Sequence, residues 1–349
     1  MRDLKHVGYY IILIVFILIF IPLLIIGGIG EGIKIPGVFN KFTIPIERVE
    51  REEPDKKDIT IKMFDVKKGK IVDIELEEYV AGVIAAEMPV SFNIEALKAQ
   101  AIAARTFVLA NKIELGGGGC NKHQGADVCS DVHCQAWISK EDRLKLWDAR
   151  LAVDNWNKIV EAVNSTKGIV ITYNNQIARH IKYHSTSGGK TENSLYVFGY
   201  QEPYLVSVES PYEDEAPNYT TKVVMSKKEF INRIKTLNSA VKISEKGLAT
   251  QVKILDWTEG GRVNRIKVGD KEFTGIDIRW AMGLKSAAFS IKIDTKNVTF
   301  TVKGYGHGVG MSQWGANEMG KRGKKYDEII KHYYRGVELN SIEEVMKNK

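Results

Sequence analysis

Cysteine is scarce in this sequence: the 349-residue chain has three, at positions 120, 129 and 134. Three cysteines are too few for a disulfide-stapled scaffold, and an odd number leaves one thiol over in any pairing scheme. Apolar residues make up 44% and charged residues 27% of the chain, so the composition also excludes a disordered or collagen-like protein. At roughly 100–200 residues per domain, the length predicts one large or two ordinary domains.

The chain also lacks a concentration of charge of one sign. Lys and Arg exceed Asp and Glu by 50 to 43, giving a net charge of +7 without a long basic run. Nucleic-acid binders usually gather their basic residues in a patch or stripe, so DNA or RNA is a poor partner. A mildly basic surface facing an anionic polymer fits equally well. Neither a Walker P-loop nor a G-x-S-x-G motif is present, and the sequence has no internal repeat.

One long hydrophobic run is present, near the N-terminus. Residues 8–30 carry no charge, and their centre reads IILIVFILIFIPLLII. A helix of this length crosses a hydrocarbon core of about 30 Å. A cleaved signal peptide is the alternative, but its apolar core is usually about 7–15 residues and precedes an A-x-A-like site. The sequence therefore predicts a cytoplasmic tail (1–7), an uncleaved anchor (8–30) and a charged linker (31–58), with the remainder outside the cytoplasmic membrane.

Helix and strand patterns follow one another from residue 59 without a regular βαβ alternation. Helices are predicted at 76–87, 94–113 and 139–163 and near 327–334, and strands at 59–63, 70–74, 251–256, 263–268, 288–293 and 298–302. A hairpin is predicted from 169–173 and 177–183. The fold class is therefore α+β, with mixed helices and antiparallel strands behind one N-terminal transmembrane helix. The domain is predicted at 59–340 and a C-terminal tail at 341–349.

Glu87 is the first candidate for chemistry, because it ends the apolar run VAGVIAAE. Apolar surroundings and a helix C-terminus both favour the protonated form of a carboxyl group. A raised pKa is what a general acid needs near neutral pH. The alternative is an acidic residue that pairs with a neighbouring helix, for instance with Arg105.

Lys98 and Arg105 are seven residues apart on the second predicted helix, which is close to two turns. Both are therefore predicted to project from one side of that helix. They would bind carboxylates or sugar hydroxyls beside Glu87. The alternative is a solvated cationic face.

The cysteines lie in a stretch that also contains two histidines. The spacing His123-x5-Cys129-x3-His133-Cys134 predicts a closed Cys₂His₂ zinc site, which is typical of structural zinc. Cys120 is a spare thiol that could replace one ligand. The alternative is a Cys129–Cys134 disulfide with both histidines on the surface, which is plausible outside the membrane.

Two glycine-bearing segments offer further polar groups: YHSTSGGKTENS at 183–194 and GYGHGVGMSQWGA at 304–316. Glycine lets the backbone approach a ligand closely. The residues predicted to contact a substrate are Tyr183, His184, Ser187, His307 and Gln313. Each segment taken alone is equally well explained as a tight turn.

These features together resemble the stage II sporulation protein D family. The resemblance rests on EEYVAGVIAAEMP at 77–89, LKAQAIAARTFVLAN at 97–111 and the two glycine-bearing segments, in the order of the family. It spans about residues 59–340. It implies a lytic transglycosylase of endospore-forming bacteria. Such an enzyme cuts peptide-free glycan strands between N-acetylmuramic acid and N-acetylglucosamine, leaving 1,6-anhydro ends, during septal wall remodelling and forespore engulfment.

The resemblance also implies roles for particular residues. Glu87 is the expected catalytic acid and base, and Lys98 and Arg105 serve substrate handling or activity. Clostridial members carry a structural zinc that matches His123, Cys129, His133 and Cys134. The implied partners are sporulation protein P, an amidase-endopeptidase, and sporulation protein M, a membrane scaffold, in the mother-cell engulfing membrane.

Two other functions stay open. Related domains occur in modifiers of amidases, so a non-catalytic peptidoglycan-binding activator of an amidase is the main alternative. Zinc-dependent hydrolysis would need an open metal position, and four nitrogen and sulfur ligands argue against it. An ordinary glycosidase uses two carboxylates, whereas a lytic transglycosylase can work with one, because the sugar's own C6 hydroxyl attacks C1.

Overall fold

The computed structural model describes residues 59–217 and 219–347, all of which belong to one compact unit. The predicted tail, anchor and linker at 1–58 lie outside the described residues. Within residues 59–347, no helix combines the length and hydropathy needed to cross a bilayer. The predicted α+β class is confirmed, because helices and mostly antiparallel strands are mixed along the chain.

The strands are β1 (Thr60–Asp65), β2 (Lys70–Glu75), β3 (Val128–Cys129), β4 (Ile169–Tyr173), β5 (Gln176–Ile177), β6 (Tyr183–His184), β7 (Thr220–Ser226), β8 (Val252–Trp257), β9 (Val263–Val268), β10 (Lys271–Thr274), β11 (Phe289–Ile293), β12 (Asn297–Lys303), β13 (Met311–Ser312) and β14 (Glu338–Ser341). The helices are α1 (Leu76–Glu87), α2 (Ile94–Asn111), α3 (Lys140–Leu146), α4 (Ala152–Asn164), α5 (Ser194–Phe198), α6 (Lys227–Leu237), α7 (Leu248–Gln251), α8 (Gly275–Met282), α9 (Gln313–Lys321), α10 (Tyr326–Tyr333) and α11 (Ile342–Lys347), with a 3₁₀ turn at Ile113–Leu115.

Two hydrophobic cores divide the described chain into two lobes. The first lobe is built around α1 and α2, which pack on each other and on α4. Small side chains such as Ala99 and Ala103 are fully buried along α2, so neighbouring helices can approach it closely. The sheets β2-β1-β3 and β14-β4-β5 flank these helices.

The second lobe comprises the sheets β10-β9-β8 and β11-β12-β7 with α6 and α8. Its core contains Phe230, Phe289 and Phe300. The strand runs predicted in this half of the chain are confirmed, with end shifts of at most one residue. β7, α6 and α8 were not predicted. The N-cap of α6 is Ser226, whose hydroxyl accepts a hydrogen bond from the Glu229 amide.

Three local predictions differ from the structure. The helix predicted at 139–163 is two helices, α3 and α4, because Asp148 accepts a hydrogen bond from the Arg150 amide and this turn competes with helical pairing. The hairpin is short: β5 ends at Ile177, and Tyr183 belongs instead to β6, which pairs in parallel with β13. The predicted C-terminal tail contains α11, whose Ile342 lies in the first core.

Candidate functional site

Glu87 is the last residue of α1, as the sequence predicts. The helix ends there because Met88 is extended (φ −124°, ψ 142°) and Pro89 follows. The Ala136 amide donates a 2.9 Å hydrogen bond to Oε1 of Glu87. Burial raises the pKa of Glu87, while the Ala136 amide and the Gln313 side chain oppose the rise. None of these described groups is a second carboxylate.

Two tyrosines and a glutamine form a chain of hydrogen bonds beside Glu87. The Tyr79 hydroxyl donates to Oε1 of Gln135 at 3.0 Å, and Nε2 of Gln135 donates to the Tyr183 hydroxyl at 2.9 Å. Burial, with the nearby charge of Glu87, raises the pKa of both tyrosines well above the usual range. Both phenols therefore stay protonated. No described residue accepts the Tyr183 proton in a hydrogen bond, so it is available to a ligand.

Gln313 reaches Glu87 from the far end of the chain. The pairing of Met311 with Tyr183 and of Ser312 with His184 joins the two glycine-bearing segments, and Gln313 follows directly as the first residue of α9. Its side chain is 6% exposed. Its Nε2 makes no hydrogen bond of ordinary geometry within the described chain, although it is close enough to Glu87 to favour the ionised carboxylate. An enclosed amide without a partner is costly, which suggests that a ligand completes this site.

His184 and His307 lie next to each other, with ring centres 5.6 Å apart. Nδ1 of His184 faces the Val309 carbonyl at 3.2 Å, whereas Nδ1 of His307 accepts a 3.0 Å hydrogen bond from the Val309 amide. Burial lowers the pKa of His184 well below its usual value and that of His307 to about 3. Both rings are therefore neutral at pH 7. Gly306 (φ 117°) permits the approach, because a Cβ there would lie 2.8 Å from Cβ of His184.

Ser187 is enclosed and structural, which corrects its predicted contact with substrate. It is 2% exposed, and its hydroxyl and amide donate to the buried Glu213 at 2.9 and 2.7 Å. The Gly188 amide donates to the same carboxylate at 3.1 Å. Glu213 thus fixes the first glycine-bearing segment. It lies in no motif of the sequence, so only the fold reveals its role.

Arg105 is enclosed and pairs with Glu77, which corrects its predicted contact with substrate. Arg105 is 0% exposed, and its Nη2 lies 2.6 Å from Oε2 of Glu77. A guanidinium enclosed in this way cannot touch a substrate, and it joins α2 to α1. Lys98 pairs with Glu95 on its own helix at 3.1 Å, and its role in substrate handling stays a prediction.

A group of metal-ligating side chains lies around β3 and in the loops on either side of it. Cys120, Cys129, His133 and Cys134 offer four ligand atoms within 4.8 Å of one another. Nδ1 of His133 lies 3.5–3.7 Å from the three sulfur atoms. All three cysteines are free, so the alternative Cys129–Cys134 disulfide is absent.

His123 lies outside this group, which takes Cys120 in its place. The His123 ring stacks on Phe64 of β1, with ring centres 3.7 Å apart and planes 7° apart. Since Phe64 is paired with Cys129 across β1 and β3, His123 covers the cluster from one side. The spare thiol noted in the sequence is therefore a member of the group.

Comparison of the sequence with known proteins identifies the family of the chain. A family model described as stage II sporulation protein matches residues 65–173. Stage II sporulation protein D of Bacillus amyloliquefaciens is 36% identical over 306 residues, which cover 87% of this chain and 86% of that protein. The Bacillus subtilis (strain 168) protein of the same name is 37% identical over 285 residues, covering 82% and 80%.

A more distant relative bears a different name. The amidase enhancer of Bacillus subtilis (strain 168) is 28% identical over 310 residues, which cover 74% of this chain and 40% of that protein. The two sporulation proteins have the higher identity, and their matches cover most of both chains. The chain belongs to the stage II sporulation protein D family.

Proposed function

We propose that this chain is a lytic transglycosylase that cleaves peptide-free peptidoglycan strands between N-acetylmuramic acid and N-acetylglucosamine during sporulation. One observation carries the proposal: Glu87 has a pKa raised by burial and lies beside the unpartnered amide of Gln313. A carboxyl whose pKa is raised, next to open hydrogen-bonding groups, is the arrangement that a general acid for glycoside cleavage requires.

In the proposed reaction the nucleophile is a hydroxyl of the same sugar that is cleaved, and water is not a reactant. Glu87 donates its proton to the bridging oxygen, and the bond from C1 of the muramic acid to that oxygen breaks. The C6 hydroxyl of the same sugar then bonds to C1 and returns its proton to the Glu87 carboxylate, which gives the 1,6-anhydro end. Attack within one sugar benefits from a high effective molarity.

The neighbours of Glu87 fit both stages of this reaction. Its carboxylate forms transiently, and the Ala136 amide and the Gln313 side chain favour that ionised form. The Tyr183 hydroxyl can donate to the sugar. An ordinary glycosidase would need a second carboxylate at about 5–10 Å, whereas the proposed reaction needs only Glu87.

We further propose that Cys120, Cys129, His133 and Cys134 hold a structural zinc ion. Ideal Zn–S and Zn–N distances in a tetrahedron place nitrogen and sulfur about 3.6 Å apart, and the three distances to His133 are 3.5–3.7 Å. Such an ion supplies a cross-link. Four protein ligands leave no open position for a reacting water, which argues against zinc-dependent hydrolysis.

The cellular setting is part of the proposal. Residues 8–30 would anchor the chain, with residues 59–347 outside the cytoplasmic membrane of the engulfing mother cell. Because the substrate is peptide-free, an amidase-endopeptidase such as sporulation protein P must act first, and sporulation protein M would hold the enzymes together.

The second candidate is a non-catalytic activator of an amidase, which the similarity to the amidase enhancer favours. One experiment separates the two. The full-length chain, its Glu87→Gln variant and a Glu209→Gln control (Glu209 side chain 75% exposed) are incubated with peptide-free glycan strands, and products are read by mass spectrometry.

We expect anhydro ends from the wild type and the control and none from Glu87→Gln. Reducing ends that carry an added water would replace the proposal with a hydrolase. Glycan binding without cleavage by the wild type would replace it with the activator.

A further inference from the structure

The second lobe meets the glycine-bearing segments at a cavity of about 310 Å³. Its lining includes Arg279 and Trp280 of α8, Arg262, Glu192 and His307. A volume of about 300 Å³ is the lower end of the range for small-molecule sites, so this cavity would fit a single sugar unit with its substituent.

Arg279 is the unusual member of this lining. Its Nε is buried without a hydrogen-bond partner, and it forms no ion pair with any described carboxylate. Its guanidinium lies over the ring of Trp280, with Cζ of Arg279 4.9 Å from the ring centre. Burial lowers the pKa of Arg279. A partly buried guanidinium without a carboxylate partner is costly, which favours an anionic ligand beside Arg279.

Glu192 does not supply that anion, because it is committed elsewhere. Its Oε2 lies 3.9 Å from Nη1 of Arg262 and accepts a hydrogen bond from Thr258, and its Oε1 accepts one from the Asn193 amide at 2.8 Å. Arg262 is likewise committed to Glu192 and to backbone carbonyls. Since His307 is neutral, the lining carries one uncompensated positive charge, on Arg279.

Aromatic side chains stand around this charge. Trp280 is 71%, Tyr196 44% and Phe198 37% exposed, and all three line the cavity. Exposed aromatic faces beside an arginine suit a sugar ring that bears an acid group, because the ring can stack while the acid group binds the guanidinium. An acidic peptide would use the charge and leave the aromatic faces without a specific partner.

His307 connects this cavity to Glu87. It lines the cavity and also interacts with the backbone of Tyr183. Tyr183 in turn lies close enough to Glu87 for the charge of Glu87 to raise its pKa. A glycan strand lying across Glu87 would therefore extend toward Arg279.

We propose that this cavity is a subsite for muramic acid, in which Arg279 binds the lactyl carboxylate that is freed when the stem peptide is removed. The inference rests on the proposed function and adds the reason for its selectivity. When a lactyl group still carries a peptide, its carboxyl group is an amide and has no charge to pair with Arg279.

Binding is measured with the full-length chain carrying Glu87→Gln, so that no cleavage intervenes. The two probes are a tetrasaccharide of alternating N-acetylglucosamine and N-acetylmuramic acid with free lactyl groups, and chitotetraose, which lacks them. We expect about tenfold tighter binding of the acidic probe, since a charge-assisted hydrogen bond pair contributes on that order. Adding Arg279→Gln should remove this preference and leave chitotetraose binding unchanged. Arg279→Lys should keep part of it.

The control is Arg265→Gln, because Arg265 is 54% exposed on β9 and paired with Asp256; its preference should equal that of the parent. If Arg279→Gln weakened binding of both probes equally, Arg279 would have a structural role and the inference would be overturned. An unchanged preference would overturn it as well. Competition by a polyglutamate peptide as strong as that of the acidic probe would move the site to an acidic peptide. Failure of cleavage by the wild type would not affect these binding results, so the two proposals fail separately.

Discussion

The Ala136 amide holds the Glu87 carboxyl at 2.9 Å, and Ala136 follows Cys134 by two residues. Between them, Gln135 bonds Tyr79 and Tyr183. The loop that carries the metal-ligating group therefore also positions the candidate acid and its neighbouring tyrosine. A metal ion at this cluster would act on the reaction through geometry and not through contact with a sugar.

Replacing Gln313 by Leu should change the pH dependence of cleavage. Gln313 opposes the raised pKa of Glu87, so its loss should raise that pKa further. A general acid is active below its pKa, and the fall in activity on the alkaline side should move to higher pH. The pH profile of kcat/KM measures this shift, with Gln176→Leu at an exposed edge as the control. An alkaline limb that stays in place would contradict the assignment of Glu87 as the acid.

Arg105→Met should act on stability and not on substrate affinity. Arg105 and Glu77 form an ion pair whose side chains are 0% and 9% exposed, and removing one partner of a buried pair costs about 3–5 kcal/mol. The double variant Glu77→Leu/Arg105→Met should recover much of this loss. Urea unfolding gives the stability, and KM of the folded fraction should equal that of the wild type. A raised KM in a stable single variant would restore the substrate-binding role.

Metal content should separate Cys120 from His123. Cys120→Ser removes one of the four clustered ligands and should release the ion, whereas His123→Phe preserves the stack on Phe64 and should retain it. Elemental analysis of the full-length protein, purified with zinc present, provides the measurement. Loss of zinc from His123→Phe with retention in Cys120→Ser would favour the ligand set first predicted from the sequence.

Gly82→Ala should disturb the site by displacing Trp137. A Cβ at this position would collide with the indole of Trp137, which follows Ala136 directly. Overpacking of this kind costs about 1–3 kcal/mol, and the displaced loop would carry the Ala136 amide away from Glu87. We expect lower kcat together with a lower melting temperature. Gly118→Ala is the control, because a Cβ there meets nothing within 4 Å; a similar loss in both variants would argue against this mechanism.

Local signals in the sequence predicted part of this site and could not predict the rest. Glu87 is placed by the Pro that ends α1, and a proline effect depends only on its neighbours. The seven-residue spacing fixes Lys98 and Arg105 on one side of α2 but does not say which element faces that side, and Arg105 faces Glu77. Arg279 lies in a helix without a recognisable motif, so its exposure to a cavity follows only from packing of the second lobe.

The pairing of β6 with β13 has a consequence for the order of folding. The second lobe is inserted between these two strands, and the Asn93 amide is joined to Asn317 across 224 residues. Contacts so distant in sequence form late, because the loop between them must close first. A chain synthesised only as far as the second lobe thus carries Glu87 without Gln313, so the candidate site stays incomplete until synthesis is nearly finished.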